Sequence, residues 1–181
     1  MRARREQGYT LTELVVTLSI MAIIAAIAIP DFTSDETAKL DIATANVVGA
    51  IRFAHSESIR TGLRYGVVAD QGNQSIRVYR VDTSVEPATL LYDNYDPLTK
   101  KPYELIFSSD ESDVVMAEAG FEYGGGALSA DYLEFSGGTG IPAASSAGIL
   151  RLLDSAVLRF SYRNASKTVS VSPMTARVTV Q

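Results

Sequence analysis

The 181-residue chain has no cysteine, no tryptophan, one histidine (His55) and only six prolines. Without cysteine there is no disulfide framework, no thiolate metal site, no thiol nucleophile and no lipidated N-terminal cysteine. A single imidazole argues against a histidine metal cage and against a Ser-His-Asp triad. Six prolines and 13 glycines are too few for a disordered chain, and a 46% apolar share is enough for a core. The length allows one ordinary domain with an appendage. Positive charge is also in deficit. The 16 basic against 21 acidic side chains give −5, which argues against a general nucleic-acid binder.

The charge is unevenly spread. Residues 1–65 are neutral overall, residues 66–135 carry a net −9, and residues 136–181 carry a net +4. An acidic middle is followed by a basic end. The simplest reading is two differently solvated faces.

The N-terminus carries the strongest signal. Arg2, Arg4 and Arg5 precede Tyr9–Ile29, twenty-one residues whose one charge is Glu13. About 20 apolar residues span a bilayer as a helix. The arginines ahead of them place the N-terminus in the cytoplasm and the rest of the chain outside it. Two readings of this segment stand. One is a secretory signal cleaved at the small-x-small run Ala26-Ile27-Ala28. The other is a retained helix, and Glu13 favours it. A carboxylate inside an apolar helix costs about 2.5–3.5 kcal/mol. A discarded signal has no use for it, whereas a retained helix can set it against a cation.

Helical periodicity continues beyond the apolar run. Leu40, Ala43, Val47, Ala50, Ile51 and Ala54 recur at spacings of three and four and form one stripe. Gly62 fits a C-terminal stop, and Pro30 is expected to kink or interrupt the helix.

The run Gly8-Tyr9-Thr10-Leu11-Thr12-Glu13-Leu14 resembles the cleavage and methylation site of type IV pilins and type II secretion pseudopilins. The resemblance covers about the first 30 residues and implies a cut between Gly8 and Tyr9 by a membrane-embedded prepilin peptidase, with methylation of the new terminus. Phenylalanine is commoner in the family where Tyr9 stands. The chemistry is consistent with the residues. Gly8 has no side chain to obstruct a protease. The freed amine of an incoming subunit can meet Glu13 of a neighbour, and in low dielectric each charge offsets the other's desolvation. Glu13 is then an assembly mark, not a catalyst.

The remaining chain reads as a β-rich head. Strands are expected at Leu63–Asp70, Ile76–Val81, Val114–Ala117, Tyr132–Phe135, Ile149–Leu153, Val157–Tyr162, Thr168–Val171 and Arg177–Val180, with long loops at 83–112 and 136–147. A hairpin is expected at Asn164-Ala165-Ser166. The expected fold class is α+β: a long N-terminal helix, transmembrane in its first half and amphipathic in its second, packed on an antiparallel sheet. The expected divisions are a leader at 1–8, a membrane or filament-core helix at 9–29, the amphipathic half at 30–62 and the head at 63–181.

This organisation resembles the GspH/FimT-type minor pilins and pseudopilins. Leu133-Glu134-Phe135 followed by Gly137-Gly138-Thr139-Gly140-Ile141-Pro142 is similar to that branch's turn. Val169–Pro173 with Arg177-Val178 is similar to its final hairpin. The resemblance implies an inner-membrane precursor whose partners are other pilin subunits and prepilin peptidase. It implies assembly into a type II secretion pseudopilus or a type IV pilus, supporting filament initiation and protein secretion. Some pilus relatives bind DNA through Gly-Arg-x-Arg. Here the stretch is Ala176-Arg177-Val178-Thr179, and only Arg177 matches. Arg159, Arg163, Lys167 and Arg177 are therefore candidates for DNA or for subunit contact, with Arg159 and Arg163 expected on one outward strand face. Such a patch would bind phosphates weakly and in a salt-sensitive way.

No catalytic, cofactor-binding or metal-binding constellation is read. Gly124-Gly125-Gly126 lacks the Lys-Ser/Thr of a phosphate loop. Asp93, Asp96 and the run Ser108–Asp113 have oxygens but no calcium-loop spacing. His55, near the apolar stripe, is read as packed or exposed, and Asn164-Ala165-Ser166 fits a glycosylation acceptor. A secreted soluble protein behind an ordinary signal is the remaining alternative.

Overall fold

A computed structural model describes residues 10–28, 32–85, 88–107, 113–146 and 148–181. The chain divides into two compact units, Met1–Ser34 and Asp35–Gln181. The long helix expected to be kinked or interrupted at Pro30 is described as two helices, α1, Leu11–Ala28, and α2, Phe32–Thr61. Pro30, expected to break the helix, lies outside the described residues.

α1 is apolar all round. Its nine large apolar side chains from Leu11 to Ile24 are each 51–82% exposed. Its 18 residues make a rod of about 27 Å at 1.5 Å per residue. Among the described residues no helix is long and apolar enough to cross a membrane. The span expected over 9–29 begins and ends on residues outside the description.

In the second unit the predicted stripe is the buried face of α2. Leu40, Ala43, Val47, Ala50, Ile51 and Ala54 are all at most 7% exposed. Gly62 ends the helix at φ 73°, its N–H donating to the Ser58 carbonyl at 3.2 Å, as a glycine C-cap does.

Among the described residues all strand pairing is antiparallel, in two sheets where a single one was expected. The strands are β1 (Tyr65–Asp70), β2 (Ser75–Asp82), β3 (Thr89–Leu91), β4 (Glu104–Ile106), β5 (Val115–Tyr123), β6 (Leu128–Ala130), β7 (Tyr132–Phe135), β8 (Ala143–Ser146), β9 (Ile149–Tyr162), β10 (Ala165–Val171) and β11 (Val178–Val180). The first sheet runs β3-β2-β1-β7, with β4 also on β2. The second runs β11-β10-β9-β5-β6, with β8 also on β9. Val67, Ile76, Leu133 and Phe135 from the first sheet and Met116, Phe121, Leu158 and Phe160 from the second meet the α2 stripe in one core.

Four short strands arise where loops or no element were expected: β3 and β4 within 83–112, β6, and β8 within 136–147. The expected strands 149–153 and 157–162 are one strand of 14 residues. Tyr123 pairs with Leu153 and Glu122 with Ser155, so Asp154 is an extra residue in the ladder. The break in apolar period is a β-bulge, not a strand end. The Asp154 carboxylate accepts from the Gly125 and Gly126 N–H groups at 2.6 and 3.3 Å.

The glycine-rich stretch after β7 docks on the end of α2. A Cβ at Gly137 would stand 2.1 Å from the Gly62 carbonyl oxygen, and Gly138 N–H donates to Ser58 O at 2.8 Å. The same stretch closes over His55, whose ring lies 5.2 Å from that of Phe135.

Candidate processing and assembly site

The start of α1 is capped by Thr10 within a capping-box sequence pattern. Thr10 precedes the helix and Glu13 is its third residue, the T-x-x-E pattern. Glu13 N–H donates to Thr10 Oγ1 at 3.3 Å and to the Thr10 carbonyl at 3.1 Å. The exposed Glu13 carboxylate also stands in the first turn, where the helix dipole favours a negative charge. Glu13 thus has a local role that the sequence reading missed, although the T-x-x-E signature was there to be read. Gly8 and Tyr9 lie outside the described residues.

Further along α1 the hydroxyls are satisfied internally. Thr17 Oγ1 donates to the carbonyls of Glu13 and Leu14 at 3.0 and 2.9 Å, and Ser19 Oγ to that of Val15 at 2.8 Å. Back-bonding to the preceding turn lets such residues sit in an apolar medium without an outside partner.

The basic residues of the C-terminal end do not converge. Arg159 lies opposite Thr168, whereas Lys167 lies opposite Phe160, so the two leave opposite faces of the second sheet. Arg159 meets Glu118 on neighbouring β5 at 3.3 Å. Lys167 reaches Asp41 on α2. Arg163 was expected beside Arg159 on the strand face. It stands instead in the two-residue turn between β9 and β10, at φ 51°, its guanidinium 5.1 Å from the Tyr162 ring centre. The turn is Arg163-Asn164, one residue earlier than expected. Arg177 is exposed in the turn before β11. A related contact ties α2 to β9: Lys39 Nζ donates to Tyr162 Oη at 3.2 Å and meets Asp113 at 3.4 Å. The Tyr162 hydroxyl, with Asp113 adding to it, raises the Lys39 ammonium above its ordinary value.

One cluster escaped the sequence reading altogether. Glu134, read as part of a turn motif, is 4% exposed. Its Oε1 lies 3.4 Å from Arg64 Nη1, and its Oε2 accepts from Tyr79 Oη at 3.4 Å. Burial pushes the Glu134 carboxyl up, against the opposing pulls of Arg64 and Tyr79. Burial also pushes the Tyr79 and Tyr123 phenols well up. Tyr123 Oη donates to the Tyr132 carbonyl at 2.9 Å and accepts from Glu134 N–H at 3.1 Å. No spacing rule marks these residues, because the three tyrosines, Tyr79, Tyr123 and Tyr132, come from three separate strands. Among the described residues no group of three His, Asp or Glu is placed to hold a metal.

Fold and site together define a class: an α+β protein with a two-sheet head and a separate helix that is apolar on every side. Residues 3–29 match the family model described as the prokaryotic N-terminal methylation motif. That match supports the type IV pilin and pseudopilin family. Neither the curated proteins nor the solved structures give a match to the chain.

Proposed function

We propose that this chain is a minor pilin or pseudopilin of the GspH/FimT type, a structural subunit and not an enzyme. Prepilin peptidase cuts the precursor between Gly8 and Tyr9 and methylates the new terminus. α1 with its flanking residues holds the precursor in the inner membrane, N-terminus inside and head outside. The subunit then joins a type II secretion pseudopilus or a type IV pilus by helix packing, with other pilin subunits as partners.

The observation that carries this reading is α1 itself. Nine large apolar side chains point in all directions, and the helix hydroxyls are turned back on its own carbonyls. A helix apolar on all sides belongs in lipid or among other apolar helices. The methylation motif over 3–29 supports the same assignment. The ion pairs Arg159–Glu118 and Lys167–Asp41 favour a head held together in cis over a DNA-receptor surface.

Mass spectrometry of the protein purified from membranes tests the reading. The expected mature chain starts at methylated Tyr9; a start at Ile29 overturns it in favour of a secretory signal. A second test separates anchoring from assembly. Glu13→Ala is expected to remain in the membrane fraction and to be depleted from sheared filaments at least tenfold, about 1.4 kcal/mol of incorporation free energy. Normal incorporation would show that the Glu13 carboxylate serves only the first turn of its own helix.

A further inference from the structure

One row of residues crosses three strands of the first sheet: Tyr79 on β2, Gly66 on β1 and Glu134 on β7, with Gly66 directly opposite both. Gly66 leaves the centre of the row empty. A Cβ there would stand 2.6 Å from Tyr79 Cζ and Oη and 2.4 Å from the Leu133 carbonyl oxygen. The Tyr79 side chain uses that space to lie across β1 and bring its hydroxyl to Glu134.

The far side of the carboxylate faces Arg64, in the short link between α2 and β1. The contact is incomplete. Glu134 Oε1 and Arg64 Nε are both buried and lack a hydrogen-bond partner, although Nη1 and Oε1 are 3.4 Å apart. The other groups around the carboxylate are Tyr123 from β5, Tyr132 from β7 with neighbouring Asp131, and a backbone hydrogen bond from Ser145 on β8. Arg64 is the one cation of this set. A buried carboxylate with a single loosely bonded cation is poised between two charge states, because desolvation and the ion pair oppose each other.

We propose that Glu134 is a proton-sensitive tie between the sheets and the segment leaving α2: ionised, it holds Arg64, and protonated, it keeps Tyr79 and releases Arg64. Protonation frees Arg64 locally, while both sheets stay folded around a neutral Glu134 whose burial then costs least.

The test is a titration of the full mature chain in detergent micelles. Glutamate carboxyls are followed by carbon-13 NMR and the Arg64 Nε by nitrogen-15 NMR. The expected result is a Glu134 midpoint above the ordinary glutamate range, with the Arg64 signal moving at that same midpoint. Glu134→Gln should abolish the Arg64 transition. Arg64→Met, which leaves the tyrosines in place, should move the Glu134 midpoint up by about one pH unit. A Glu134 titrating in the ordinary range, an Arg64 signal indifferent to it, or an unchanged midpoint in Arg64→Met would overturn the proposal. If Glu134→Gln does not fold, wild type and Arg64→Met still decide it.

Discussion

At the scale of single residues, the head depends on positions where nothing larger fits. Gly66→Ala would force a methyl group into the Leu133 carbonyl and the Tyr79 ring. It is expected to cost about 2–3 kcal/mol, read by chemical unfolding. His55 gives a pH signature of its own. Burial lowers its pKa from 6.5, with a bond to the Gly140 backbone pulling weakly the other way. A histidine lowered on folding contributes stability that is whole above 6.5 and is lost as pH falls below that value towards its folded pKa. The wild-type unfolding midpoint should therefore drop through this window, and His55→Leu should flatten that part of the profile. Glu134 acts with the opposite sign. Its raised carboxyl contributes stability that is whole below 4.5 and is lost as pH rises through the folded value. Gly8, Tyr9 and Glu13 stood out as expectations because they sit together in one short, unusual run, which the family match over residues 3–29 covers. Glu134 did not, because only the register that lays it beside Gly66 and Tyr79 shows a charge to be buried.

At the scale of elements, periodicity worked wherever one face alone is buried. All six stripe residues of α2 came out buried as expected, and along β9 Ala156, Leu158, Phe160 and Tyr162 share one buried face. It failed where a ladder is irregular or very short. The Asp154 bulge shifts the phase of β9 in mid-strand, and β3, β4 and β6 have only three residues each, too few to show a period. Two substitutions separate the contributions of α2 and α1. Ile51→Ala, at the centre of the stripe, should destabilise the head by about 2–5 kcal/mol in chemical unfolding. Thr10→Ala removes the cap of α1 and should cost about 1 kcal/mol of local helix stability, seen as faster amide exchange in its first turn and no change in the head's unfolding midpoint.

At the scale of the whole molecule, charge along the chain differs from charge in the fold. The sequence shows an acidic middle and a basic end. Folding sets Arg159 of the basic end against Glu118 of the acidic middle, and Lys167 against Asp41 of the neutral first segment, so two of the basic side chains are paired within the chain. A gel-shift series with the purified protein should accordingly show no strong DNA binding near physiological salt. Tight binding lost in a double Arg159→Ala/Arg163→Ala variant would reverse that conclusion. The units also differ in what they require. Asp35–Gln181 contains α2 from Asp35 onward and both sheets around its own core, so a chain starting at Asp35 should unfold cooperatively in plain buffer. The full chain should need detergent.

The uniform coat of α1 has one more effect. A cylinder with the same greasy surface at every azimuth offers its neighbours no preferred angle of rotation, and only the acid near one end can fix its height. Which neighbour a copy accepts, and which way it turns, must then be decided by the uneven, hydrogen-bonding exterior of the folded part that follows.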